Sequence, residues 1–317
     1  LVTAKKDAIP AARASLAAKG EGPNPSFISC ARRWARLKAA EVAPSTAALY
    51  HTIVEAHLAA SPFAERPVSA VSSNDLRDWA ATLPGQSKTR HNVVSAAVSV
   101  LKASGNPART KLPSVRHPDR RVLAPSERKA AFAISQPEAW LIVRLALGMG
   151  LRRSECAGLR HDDRQDDGVI VRRGVTSVDG TLYVGHTKTA VSNDWTPLHP
   201  DLLEIVGAPG SEGYVLGPQE PDPRRLSRVL EASLAKAGVL RAGFQALRRT
   251  YGTWLLELGV DVRTAAELMR HDPSMLMRQY ARSRRELMRD AQGRLFPATD
   301  PATFPDDSLQ SRNQNQA

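Results

Sequence analysis

Between Phe27 and Ser104, apolar residues return at helical spacing in four successive runs: Phe27, Ala31, Trp34 and Ala35; Tyr50, Ile53, Val54 and His57; Leu76 and Trp79; and Val93, Ala97, Val100 and Leu101. A period of three to four residues places each run on one face of an amphipathic helix. Residues 27–104 are therefore expected to form a small helical bundle. Ser45-Thr46 and the run Ser72 to Asp75 supply N-cap chemistry for the second and third helices, and Pro84-Gly85 separates the third from the fourth. The preceding residues, 1–26, mix Ala, Lys, Gly and Pro without a sustained stripe and read as a basic flexible arm.

The helical period stops at Gly105. From there to Arg121 the chain is broken by Pro107, Pro113 and Pro118 and is rich in Arg, Lys and His, which is the composition of a basic linker. Beyond it, helical stretches are expected at about Ser126–Ile134 and Pro137–Gly148. Short strand candidates follow at Val169–Arg172, Thr181–Gly185 and Asp194–Leu198, with a polar turn containing Lys188 between the last two. Helices resume at about Pro221–Ala237, Gln245–Leu258, Val262–Arg270 and Arg284–Asp290, and residues 296–317 are polar and read as a disordered tail. The expected fold class is mainly α with a small antiparallel β-sheet, an α+β arrangement. Its two globular units would be 27–104 and 122–295, and 317 residues suffice for each to bury its own core.

Composition narrows the partners. A formal charge of +12 and a pI near 10.1 put a positive field on the surface, which favours a polyanion such as nucleic acid. No run approaches the length of an apolar membrane span, and the first residues lack the apolar segment of a signal peptide, so a cytoplasmic, nucleoid-associated protein with no membrane partner is expected. Cys30 and Cys156 each fall in an apolar helical pattern and read as buried thiols rather than as a disulfide or metal pair. The expected metal and cofactor requirement is none.

One helix combines this charge with candidate chemistry. In the segment from Gln245, Leu247, Tyr251, Trp254, Leu255 and Leu258 define an apolar face that Gly259 ends, while Gln245, Arg248 and Arg249 lie on the other face at the first turn. Free backbone N–H groups and the helix dipole favour an anion there. A cationic helix start in isolation is more often a solvated charged face, so its neighbours in sequence decide.

Those neighbours carry a resemblance. Gly150-Leu151-Arg152-Arg153-Ser154-Glu155, the hairpin lysine Lys188, Gln245-Ala246-Leu247-Arg248, and Arg270-His271 with Tyr280 nine residues later occur in that order. The series resembles the tyrosine recombinase, or phage integrase, family: a Gly-Leu-Arg-x-x-Glu box, a lysine in a β-hairpin, a His-x-Leu-Arg box, a Gly-His step, and a tyrosine nine residues beyond it. The resemblance extends over about residues 27–295, with 27–104 similar to the family's core-binding bundle and 122–295 to its catalytic domain.

The resemblance implies a division of labour. Arg152 and Arg248 would grip the scissile phosphate, where guanidinium forks suit the charge that accumulates on non-bridging oxygens. Tyr280 would be the nucleophile, forming a 3′-phosphotyrosine that conserves the energy of the broken bond. Lys188 would protonate the leaving 5′ oxygen, His271 would bond the phosphate or assist proton movement, Glu155 would orient and charge-balance the arginines, and Gln245 and Arg249 would support or contact the phosphate. The partners implied are double-stranded DNA attachment sites, a homotetramer on two such sites, and accessory DNA-bending or directionality factors, with the short arm implying a simple integrase acting on compact sites. Two positions depart from the pattern: Gln245 stands where histidine is usual and cannot shuttle a proton, and Arg270 replaces the glycine before His271, suggesting tolerated geometry or an added phosphate contact. Two other classes stay open, a non-catalytic DNA-binding protein on this scaffold and a type IB topoisomerase-like enzyme. The biological task implied is integration or excision of a phage or mobile element.

Overall fold

A computed structural model describes residues 24–115, 121–186, 195–208, 210–217, 219–280 and 292. Four helices build the first core: α1 (Phe27–Ala39), α2 (Pro44–Ile53, continued by a wider turn over Val54–Leu58), α3 (Ser73–Thr82) and α4 (Ser87–Ala103). Phe27, Phe63 and Trp79 meet edge to face, with centroids 5.0 and 5.4 Å apart, and Trp34 lies 4.8 Å from Tyr50. Such ring pairs add to the burial of their area. Ser72 and Asp75 cap α3 reciprocally, as the Ser-to-Asp run predicts. The second helix departs from expectation, because Pro44 rather than Ser45-Thr46 opens it, its φ being set for the first helical position and its N–H not needed there.

The chain leaving α4 stays on this core. Asn106, buried, donates through Nδ2 to the carbonyls of Val68 (2.7 Å) and Val71 (2.9 Å) and accepts from the N–H of Ala108. His91 Nδ1 lies 2.9 Å from the carbonyl of Pro113. These contacts satisfy backbone groups that a passing loop would otherwise leave exposed.

A second and larger apolar core runs from Leu123 to Leu247. It is enclosed by α5 (Pro125–Phe132), α6 (Pro137–Val143, continued by a wide turn over Arg144–Gly148), α7 (Arg153–Gly158), α8 (Pro223–Lys236) and the first half of α9 (Phe244–Glu257). On one side β1 (Arg164–Gln165), β2 (Gly168–Ile170) and β5 (Trp195–Pro197) form an antiparallel sheet in the order β1-β2-β5, and β3 (Arg173–Val178) pairs antiparallel with β4 (Thr181–His186). The fold is thus mainly α with a small antiparallel β component. The β3 strand is missing from the sequence reading, which joins β4 to the next strand instead. The overlooked signal is Asp179-Gly180: both residues have positive φ, 48° and 84°, the two-residue turn that matches strand twist in a hairpin.

A third, small apolar cluster holds α10 (Val262–Leu268) and α11 (Pro273–Tyr280) against the outer half of α9, through Ala265, Ala266, Met269 and Leu276 with Tyr251 and Leu255. The predicted helix at 284–290 lies outside the described residues. No helix among the described residues is long and apolar enough to cross a membrane.

Candidate active site

The seam between the second core and the small α10–α11 cluster is where the predicted residues converge. α9 crosses it, with Leu247 in the larger core and Tyr251 and Leu255 in the smaller. Arg248 sits between them and is buried, only 4% exposed, whereas the sequence reading places it on the outer face with Gln245 and Arg249. Leu258, expected on the buried face, is instead 68% exposed. Burial of Arg248 is possible because its fork reaches two backbone acceptors, the carbonyls of Gly150 and Met269. A buried cation without such partners is prohibitive. Gln245 is exposed at the first turn of α9, and its carbonyl accepts from Arg249 Nε at 2.9 Å.

Two backbone reversals deliver these acceptors. Gly150 has φ +64°, and a Cβ there would stand 2.4 Å from Tyr251 Cδ1, so both conformation and space demand glycine. The reversal leaves Arg152 as the extended residue before α7. Glu155 reaches back from the first turn: Oε2 accepts from the Arg152 N–H (2.9 Å) and Oε1 from Arg152 Nη1 (2.6 Å). The second reversal ends α10. The N–H of Arg270 bonds the carbonyl of Glu267 (2.8 Å) and that of His271 the carbonyl of Ala266 (2.9 Å), a Schellman closure with Arg270 at its left-handed position, φ +49°. Glycine is the usual occupant, and a residue with a Cβ costs about 1–2 kcal/mol there.

Glu155 is the centre of the cluster. It is 3% exposed, with Arg152 Nη1 at 2.6 Å, Arg270 Nη2 at 2.9 Å and Arg248 Nη1 at 3.7 Å. Burial pushes its carboxyl pKa up, but the fields of Arg270, then Arg248 and Arg152, outweigh burial and hold it below the usual carboxylate value. One anion among three cations leaves the cluster positive. Burial, followed by the field of Arg152, draws the Arg248 guanidinium down to about 9, still charged at neutral pH. The same two influences, burial first and then Arg248 and Arg152, lower the pKa of His271, leaving a neutral imidazole whose Nδ1 has no hydrogen-bond partner among the described residues. Arg152, with 31% of its side chain exposed, is the member of the cluster that faces outward. A surplus of guanidinium charge beside a neutral imidazole suits a dianionic or trigonal-bipyramidal phosphate oxygen set.

Arg152, Glu155, Arg248 and His271 are therefore brought together. Tyr280 ends α11, the helix that begins two residues after His271. Lys188 falls between β4 and β5, outside the described residues. The sequence reading missed the inward role of Arg270: its side chain is fully buried on Glu155 rather than turned toward a phosphate. The available signal was the position itself, a helix-ending step where glycine is usual.

The phage integrase family profile matches residues 121–286, more than half of the chain. This chain belongs to the phage integrase, or tyrosine recombinase, family. It is 27% identical over 229 residues to tyrosine recombinase XerC of Mycobacterium tuberculosis (strain ATCC 25177 / H37Ra), a match covering 64% of this chain and 76% of that protein. In fold it is similar to the Tn1549 transposon integrase in complex with transposon right end DNA, with a TM-score of 0.67 at 16% identity over 84% of this chain and 99% of that one. It is also similar to a lambda integrase tetramer bound to a Holliday junction, with a TM-score of 0.56 at 16% identity over 80% of this chain and 78% of that one.

Proposed function

We propose that this family member is a site-specific DNA recombinase that cleaves and rejoins duplex DNA through a 3′-phosphotyrosine on Tyr280. The observation that carries the reading is the convergence of Arg152, Arg248 and His271 around buried Glu155 beside the helix that bears Tyr280. Arg152 and Arg248 hold the scissile phosphate and neutralise charge on its non-bridging oxygens as the phosphorus becomes five-coordinate. The Tyr280 hydroxyl gives up its proton to His271 or to solvent as its oxygen bonds phosphorus, while the bond to the 5′ oxygen breaks and Lys188 gives that oxygen a proton. His271, neutral at working pH, donates to a phosphate oxygen or takes up the Tyr280 proton, and the exposed Gln245 amide supplies a hydrogen bond where an imidazole is usual. Rejoining reverses the same steps, so no external energy source enters.

DNA is the partner, with 27–104 and 122–295 as two domains closing on the duplex from the basic segment 105–121. Phosphate contacts supply most of the affinity, which therefore falls steeply with salt. The active assembly is a tetramer on two sites, and the biological task is integration or excision of a mobile element; the DNA-bound and tetrameric relatives support this assignment. The test is a pool of nicked duplexes of randomised sequence, from which a strand trapped on the protein survives denaturation. Wild type is expected to retain a defined subset and Tyr280→Phe none. Sequence-selective binding without a trapped strand would instead favour a non-catalytic DNA-binding protein, and relaxation of supercoils without exchange between sites a topoisomerase-like enzyme.

A further inference from the structure

Arg270 is the most costly side chain of the cluster to keep. It occupies the left-handed position of a helix-ending motif that glycine fills without strain, and its guanidinium is removed from solvent. Its Nε and Nη1 have no hydrogen-bond acceptor among the described residues, so the contact from Nη2 to Glu155 Oε2, at 2.9 Å, is the one polar anchor seen for this buried cation. Strain and desolvation concentrated on one residue point to a role in the function rather than in the fold. We propose that Arg270 is a positioning residue for strand cleavage: by neutralising Glu155 from below, it fixes the carboxylate that in turn holds Arg152 and Arg248 toward the phosphate. The proposal rests on the recombinase reading.

The geometry gives the chain of action. Glu155 uses Oε1 for Arg152 Nη1 and Oε2 for the Arg152 N–H, for Arg270 and, at longer range, for Arg248. Without Arg270, the inner oxygen faces one cation fewer, and the buried carboxyl takes up a proton more readily. A protonated Glu155 loses most of its hold on Arg152, whose partly exposed fork then wanders from the position a phosphate needs. Arg270 exerts the strongest stabilising field on the Glu155 carboxylate, ahead of Arg248 and Arg152. The other titratable groups around it work in different senses: the neighbouring Cys156 thiol is held protonated by burial and by Glu155 itself, Tyr251 is held protonated by burial, and His271 is held neutral by burial and the arginines. Neither the protonated thiol nor the neutral imidazole can replace the missing cation.

The experiment follows single-turnover formation of the covalent adduct on a nicked duplex selected by wild-type protein, from pH 5 to 8, alongside DNA affinity and the titration of the Glu155 carboxyl carbon by carbon-13 NMR. Arg270→Met keeps volume and removes charge. It is expected to slow adduct formation on the order of 10- to 100-fold, with DNA affinity nearly unchanged. Its acid limb and its Glu155 titration should both move to higher pH, and Arg270→Lys should recover most of the rate. Should Arg270→Met fail to fold, Arg270→Met/Glu155→Gln, in which both charges of the Arg270–Glu155 pair are gone, should fold and react no more slowly than Glu155→Gln alone. A folded Arg270→Met with wild-type rate and wild-type titration would overturn the proposal. A wild-type protein that forms no adduct at all would remove the recombinase reading and this proposal together, a result distinct from equal reaction by both proteins.

Discussion

α9 and α10 are consecutive helices that close with the same pair of backbone hydrogen bonds, yet one ends at an exposed glycine and the other at a buried arginine. In α9 the left-handed residue is Gly259, φ +83°, with nothing near its α-carbon to be disturbed by a side chain. The N–H groups of Gly259 and Val260 bond the carbonyls of Leu256 and Leu255, each at 3.0 Å. In α10 the equivalent residue is Arg270, and the helix-ending carbonyl beside it, that of Met269, accepts from Arg248. The first closure only stops a helix. The second stops a helix and delivers two groups, a carbonyl and a guanidinium, to the cluster around Glu155. Identical local geometry thus serves backbone economy in one place and electrostatics in the other.

The comparison breaks most visibly at Glu155. Glu155→Ala leaves Arg248 and Arg270 buried without their anion, and chemical denaturation should show a loss of about 3–5 kcal/mol. Next in size is Arg248→Lys, which keeps a charge but not the fork that reaches both Gly150 and Met269; single-turnover cleavage should fall on the order of 100- to 1000-fold. Arg270→Gly sharpens the contrast itself. If only backbone conformation mattered it would stabilise the protein by relieving the left-handed strain, whereas the ion pair predicts a net loss of about 1–3 kcal/mol in the same denaturation experiment. Gly259→Ala is the control at the other helix end, where about 1 kcal/mol of stability should be lost and the cleavage rate of the folded protein should stay unchanged.

Much of this was legible in the sequence. The apolar periods locate α1 to α4 and α9, the Gly-Leu-Arg-x-x-Glu and Arg-His steps mark the residues that converge, and Glu155 is singled out as the partner of the arginines. What escaped was set by contacts distant in sequence. Arg248 reads as an outer-face residue because the residues that bury it, Gly150 and Met269, lie on other elements. Leu258 reads as core because period alone does not reveal that α9 runs past its last apolar neighbour. The β3–β4 pairing was missed although Asp179-Gly180 announces it locally, because β3, Arg173–Val178, carries only Val175 as a buried apolar residue. Arg270 was legible as a departure from glycine but not as an inward one, because its partner Glu155 is 115 positions away.

The smallest expected effect is on pH. His271 has its pKa lowered in the folded state by burial and by Arg248 and Arg152, so the folded state binds its proton less readily than the unfolded chain. The stability linked to it is present above the unfolded value, near 6.5, and declines as pH falls through the lower folded value. His199, also lowered by burial, acts in the same direction, so His271→Asn should flatten only part of the decline in denaturation midpoints measured between pH 7.5 and 5. Glu155 adds a separate loss at lower pH, because its depressed carboxyl contributes stability above the unfolded carboxylate value that disappears as pH falls through the folded one.

On the proposed reading, the guanidinium cluster around Glu155 presents a DNA phosphate to Tyr280. The most direct test is to digest the trapped protein–DNA adduct with trypsin and nuclease and to locate the nucleotide by mass spectrometry. A nucleotide joined through its 3′ phosphate to Tyr280 is expected on the tryptic peptide Gln279 to Arg282. A nucleotide carried by Tyr183, Tyr214 or any residue elsewhere in the chain would contradict it.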